Sequence, residues 1–166
     1  MNEADFILSE LQKGHAGDPW HGPSRTSVLS DVTVDEAARR PGEGHTIWEL
    51  VLHMAAWTRE VGRCVREGAP GEPAEGDWPP MGAHSESKWH KAVDDLATAH
   101  AEVNTAIRGL REGQLDEKVG GDRDAPLGSG VTHRAMLHGL AQHDAYHTGQ
   151  VSILKRLYRS ADARSR

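Results

Sequence analysis

One helical stripe near the C-terminus constrains this chain most. Met136, Leu140, His143, His147, Val151, Leu154 and Tyr158 follow one another at steps of 4, 3, 4, 4, 3 and 4, which is the spacing of a single helical face. Two imidazoles therefore stand one turn apart inside an otherwise apolar seam. A buried imidazole without a partner costs on the order of a few kcal/mol, so two in one seam call for a shared partner. A divalent metal ion is the obvious candidate. Spacing alone does not carry this, because 11 histidines in 166 residues place roughly 0.7 pairs at i, i+4 by chance. The apolar surroundings carry it, together with a third histidine in similar company.

The length predicts one domain over residues 1–166, with a flexible tail after about residue 159. A chain of this size buries a sufficient core without disulfide or metal staples, so a metal site is free to serve function. The net charge of -6 leaves no basic field for counterion release, which argues against DNA or RNA as a partner. Cys64 stands alone, so no intramolecular disulfide is expected and a reducing compartment fits. The N-terminal MNEADFILSELQKG is acidic and amphipathic where a secretory signal would be basic and then apolar. No apolar run approaches the roughly 20 residues that span a bilayer. The expectation is a cytoplasmic protein with no membrane partner.

Phe6, Ile7, Leu8 and Leu11 predict a short first helix that Gly14, Gly17 and Pro19 end. Pro23 is expected in the first turn of a second helical piece carrying Val28, Leu29 and Val32. Thr33 with Glu36 forms a capping box for a turn or two, closed by Pro41-Gly42. A second box, Thr46 with Glu49, opens a long helix with Ile47, Leu50, Val51, Met54, Trp57, Val61, Cys64 and Val65 on its buried face. Gly68 and Pro70 stop it. Trp78-Pro79-Pro80 is read as an ordered loop over apolar surface. A third long helix is expected from about Ser85 to Gly113, marked by Trp89, Val93, Leu96, His100, Val103, Ile107 and Leu110, and a fourth from about Thr132 to Arg159, after a polar, Gly-rich stretch over 116–130. No segment alternates with period two for long enough to suggest a sheet. The fold class is all-α, a four-helix bundle.

His53 lies between Leu50 and Trp57 at steps of 3 and 4 and faces the core with them. With His143 and His147 it completes three imidazoles from two helices, the ligand count of a catalytic zinc site with one open position; imidazole also serves nickel, copper and iron. The bland alternative is a core-edge histidine bonded to a backbone carbonyl. His100 sits equally well in its own stripe, as an alternative ligand or, on the more ordinary reading, as a buried hydrogen bonder. His138 points away from His143, and His133, His90, His84 and His15 fall on polar faces or in loops, where solvation is the default. Asp144 precedes His147 by three residues and either orients a ligand imidazole or is a solvated acid, the second being the commoner case. Gln142, Tyr146 and Gln150 are further candidates to bond ligand or substrate. Cys64 reads as a small buried hydrophobe.

GHTIWELVLHMAAW (44–57) and HGLAQHDAYHTGQVSILK (138–155) resemble the two signature segments of the DinB/YfiT-like family of bacterial metal-binding proteins, and DPWHGPS (18–24) and the DWPP loop fit the same pattern. The resemblance implies a DinB-like four-helix bundle, often a homodimer, with one divalent ion per chain, zinc or nickel, on His53, His143 and His147. It also implies chemistry on a small-molecule substrate. Characterised relatives activate a low-molecular-weight thiol, as in bacillithiol S-transferases and the mycothiol-dependent maleylpyruvate isomerase, and many others have no known activity. On this basis the expected activity is metal-dependent S-transfer, with water as the alternative occupant of the open position and hydrolysis as the alternative reaction. Trp57 or Trp20 would supply an apolar wall, and Trp20-His21-Gly22-Pro23-Ser24 either lines the pocket or merely turns the chain. Two rival readings are a stress-related metal-binding protein without turnover and a helical interaction module with metal-free histidines.

Overall fold

Hydrogen bonds at the caps set where the helices begin. In the computed structural model, which describes residues 2–120 and 130–165, Thr46 accepts from the Glu49 amide and the Glu49 carboxylate takes the Thr46 N–H, opening α4 (Ile47–Glu67). Thr33 and Glu36 do the same for α3 (Val34–Ala38). Asn2 and Asp5 form a third box for α1 (Glu3–Ala16), one the sequence reading did not anticipate. Ser85 caps α5 (Glu86–Arg108) and Thr132 caps α6 (His133–Arg164). Each box satisfies amide donors that a helix start otherwise leaves bare. The C-terminus of α4 closes on Gly68, whose φ of 66° lies in the left-handed region that glycine adopts without a Cβ penalty.

Several boundaries differ from expectation for local reasons. Pro23 does not open the second helix: Ser24 holds the cap position and α2 (Arg25–Leu29) begins at Arg25, with Val32 buried beyond the helix end. Helix α5 stops at Arg108, short of Gly113, where the Gly109 and Leu110 amides shift to the Ala106 and Ile107 carbonyls three residues back; a 3-10 turn, Gln114–Asp116, follows. Helix α6 continues to Arg164, beyond the Arg159 expected. No glycine or proline interrupts it there, and Arg159 bonds Asp31 and Glu36 while Asp162 takes Arg39. Residues 121–129 of the expected polar stretch lie outside the described residues.

The long helices α1, α4, α5 and α6 form an all-α four-helix bundle, with no strand among the described residues. Helix α4 is its axis, packed on α5 and α6, while α1 lies against α5 and α6 and α2 against α1 and α6. Two apolar clusters fill it. One joins Ile47, Trp48, Val51 and Met54 to Trp89, Leu96, Val151 and Tyr158; the other joins Ile7, Leu11 and Val65 to Val103, Ile107, Leu137 and Leu140. The polar residues of the core lie between them. On α6, Leu140 and Val151 bracket His143, Asp144 and His147, and on α5, Leu96 and Val103 bracket His100.

Candidate metal centre

The turn spacing of α6 puts His143 above His147, and the second turn of α4 brings His53 opposite both. One ring nitrogen from each of the three lies within 4.8 Å of the others. His147 stands edge-on to both His53 and His143, which are tilted to each other by 43°, with centroids 4.5 to 4.9 Å apart. Ligand nitrogens on a tetrahedral zinc ion stand about 3.4 Å apart, given bonds near 2.0–2.1 Å. The cluster is therefore within a side-chain adjustment of that geometry, and the three histidines can hold one ion.

The outer nitrogens decide which atoms face inward. His53 Nδ1 donates to the Asp77 carbonyl at 2.6 Å, and His147 Nδ1 donates to Gln150 Oε1 at 2.6 Å. Each ring proton is thus held on the outside, leaving Nε2 with its lone pair toward the cluster. His53 Nε2 stands 2.9 Å from His143 Nε2. Among the described residues His143 Nδ1 has no hydrogen-bond partner; Asp144 Oδ1, also unpartnered, is 3.8 Å away, too far for a hydrogen bond. Burial pushes the His147 imidazole down to about 4, against the Gln150 hydrogen bond, and burial likewise lowers His53. Both rings are therefore neutral at physiological pH, the form that can bind a metal.

The wall of the site is Trp78. Its indole stacks on His53 with a centroid distance of 4.0 Å and on His45, on its other face, at 3.5 Å. Its neighbour Asp77 accepts from Trp57 Nε1 at 2.7 Å as well as from His53. The Asp77-Trp78-Pro79-Pro80 loop therefore packs against the apolar core as expected and also braces the histidine. Trp57 stands edge-on to His53 at 6.4 Å. Trp20, expected as a possible wall, is 98 % exposed, and His21 is exposed beside it; the segment turns the chain and touches none of the three histidines.

Other candidates are placed elsewhere. His100 lies away from the triad, stacked on His15 at 4.0 Å and accepting at Nε2 from Asn104. His138 faces Glu3 and Glu10, away from His143 as expected. Gln150 bonds a triad histidine, Tyr146 sets its exposed ring edge-on to His147, and Gln142 is exposed. Two histidines read as solvated are not. His133 is buried at the start of α6, donating from Nδ1 to the Glu117 carbonyl, and His15 is half-buried against His100. Asp144 is not a solvated acid either. Burial works to raise its pKa, but the Arg25 guanidinium at 2.5 Å outweighs this and holds the carboxyl below its ordinary range. Cys64 is buried beside Glu60, and burial pushes its thiol up to about 11.

Sequence reasoning missed Arg25, Asp77 and Trp78 as neighbours of this centre. Only the DWPP segment carried a local signal, an aromatic held in a stiff Pro-Pro loop. No helix among the described residues is long and apolar enough to cross a membrane. No curated protein and no solved structure gave a match. The sequence model of the DinB superfamily matches residues 25–151, a span that runs from the buried arginine of α2 through both histidine segments, and the chain belongs to that superfamily.

Proposed function

We propose that His53, His143 and His147 bind one divalent ion, zinc or nickel, and that the protein is a metal-dependent enzyme transferring a low-molecular-weight thiol to an electrophilic small molecule. The observation that supports this is the outward anchoring of the rings: two of three Nδ1 atoms are committed to acceptors, so the Nε2 atoms converge. Three nitrogen ligands leave one position open, whereas closed structural zinc sites use four and favour cysteine. When bound, the ion supplies a positive charge that lowers the pKa of a thiol or water in that position.

We favour the thiol over water because the walls of the site are indole rings. Of the carboxylates beside the triad, Asp77 accepts from Trp57 Nε1 at Oδ1 while its backbone carbonyl takes the His53 proton, and Asp144 lies behind His143 on Arg25. Trp78 and Trp57 give the reacting partners an apolar wall. We place a second copy of the chain on the exposed face of α6, where Tyr146, Ile153 and Leu157 fall on one side of the helix.

Elemental analysis of protein purified without a histidine tag, followed by His53→Ala, His143→Ala and His147→Ala, tests the ligands. Each variant should lose its stoichiometric metal and stay helical, and His100→Ala should keep the metal. Retention of a full equivalent by His53→Ala defeats the assignment. Thiol addition to the cobalt-substituted protein tests the reaction: an unchanged visible spectrum, with hydrolysable esters turned over, replaces S-transfer with hydrolysis. Light scattering at tens of micromolar tests the dimer, and a monomer mass refutes it.

A further inference from the structure

Arg25 is the most deeply buried cation in the described residues, 2 % exposed, and it sits in a helix of five residues. Burying a guanidinium costs several kcal/mol before its partners repay any of it, and an apolar pair of similar size often serves stability as well. Anchoring α2 does not require it. Val28 and Leu29 already bury in the core, Lys155 of α6 donates to the Val28 carbonyl at 2.7 Å and pairs with Asp31, and Thr26 Oγ1 donates to the His15 carbonyl at 2.8 Å.

What Arg25 does touch is informative. Nη1 donates to Asp144 Oδ2, and Nη2 lies 2.9 Å from His15 Nδ1, with His15 backed by His100. One carboxylate oxygen of Asp144 is thereby fixed, and the other, Oδ1, is buried and left without a donor. His143 Nδ1, equally without a partner among the described residues, stands 3.8 Å from it. His53 and His147 each have an acceptor holding the Nδ1 proton; His143 is the one member of the triad that lacks one. For His143 Nε2 to present a lone pair, its proton has to sit on Nδ1, and a closure of about 1 Å brings Asp144 Oδ1 to hydrogen-bond distance.

We propose that Arg25 is a positioning residue for the metal centre: by gripping Asp144 Oδ2 it aims Oδ1 at His143 Nδ1, which selects the ring form of His143 whose Nε2 can bind the ion. This rests on the reading of the triad as a metal site. The contacts of Arg25 make metal affinity depend on α1 and α2, elements that carry no ligand.

The test is zinc affinity by chelator competition, with the visible spectrum of the cobalt-substituted protein and circular dichroism on the same samples. Arg25→Met should weaken zinc by about 10- to 100-fold, the usual consequence of losing a group that orients a ligand, and should move the cobalt bands while the helical signal stays. Arg25→Lys, which keeps the charge without the planar fork, should fall between it and the wild type. Asp144→Asn should weaken binding similarly, and adding Arg25→Met to it should change the affinity by no more than about twofold, since both act through one bond. Wild-type affinity and spectrum in Arg25→Met overturn the proposal, as do losses that multiply in the double variant. Should Arg25→Met fail to fold, wild-type affinity and spectrum in Arg25→Lys overturn it equally. A wild-type protein that takes up no zinc or cobalt removes the metal site and this role together, whereas a metal-binding wild type indifferent to Arg25 removes only the role.

Discussion

His100 should make the metal-free protein acid-sensitive by an amount that can be calculated. The ring is 3 % exposed, accepts at Nε2 from Asn104 at 3.0 Å, and leaves Nδ1 buried without a partner. Burial, with smaller contributions from His15 and Arg25, pushes its pKa down to about 3. Above the ordinary histidine value the ring is neutral whether the chain is folded or not, and it contributes no pH dependence. As pH falls below about 6.5 the unfolded chain takes up a proton there that the folded chain refuses, so stability drops until the folded ring itself titrates. At pH 5 the unfolded state is favoured through this one residue by about 2 kcal/mol relative to pH 8, an appreciable part of the roughly 5–15 kcal/mol that holds a domain together. His15, pushed down to about 4 first by burial and then by Arg25, acts in the same direction; it is half-buried, and solvent screening makes its share smaller.

Urea unfolding of chelator-treated protein, followed by circular dichroism at pH 8 and pH 5, measures this directly. His100→Gln keeps an acceptor for Asn104 and removes the titrating ring. It should shrink the loss of stability between the two pH values by about 2 kcal/mol, or about 1 M in urea midpoint for a slope near 2 kcal/mol/M. The carboxylates are common to both proteins and cancel in the comparison. If wild type and His100→Gln lose the same stability on acidification, the buried ring is not excluding the proton and the reasoning is wrong.

Three further outcomes follow from the packing. Leu137→Ala, at a fully buried position of the second apolar cluster, should cost about 2–5 kcal/mol in urea unfolding and leave zinc affinity unchanged. Trp78→Ala removes the stack that holds His53 and should weaken zinc by about 10-fold or more, with a smaller stability cost than Leu137→Ala; unaltered affinity would show that the loop braces nothing. Cys64, buried and with its thiol pushed up to about 11, should resist a thiol-specific reagent at pH 8 and react fully once urea unfolds the chain; rapid labelling of the folded protein would contradict its placement.

The parts of this molecule that the sequence disclosed are those whose physics is local. Capping boxes at Thr33 and Thr46, the αL stop at Gly68 and the apolar stripes of α4 and α6 each need only residues within a turn or two of one another. The bundle and the two histidine faces were legible for that reason. Arg25 and Asp144 are 119 residues apart, and no periodicity in a five-residue helix marks an arginine as core. His133 looked solvated because its acceptor, the Glu117 carbonyl, belongs to a turn across a chain connection.

His53 and His100 show where the limit lies. Both occupy apolar stripes at the same helical steps, and the stripes alone do not distinguish a ligand from a buried hydrogen bonder. Their hydrogen-bond partners do. His53 meets the α6 pair with its Nδ1 proton drawn outward by the Asp77 carbonyl, so its free lone pair joins two others. His100 stacks on His15 of α1 and meets Asn104 one turn on in its own helix, whose amide occupies the lone pair a metal would need. An imidazole in an apolar seam becomes a candidate ligand only when an acceptor holds the proton on the far nitrogen and leaves the near one free. In this chain a loop carbonyl does so for His53 and a glutamine for His147, and for His143 the residue in place to do it is an aspartate steered by Arg25.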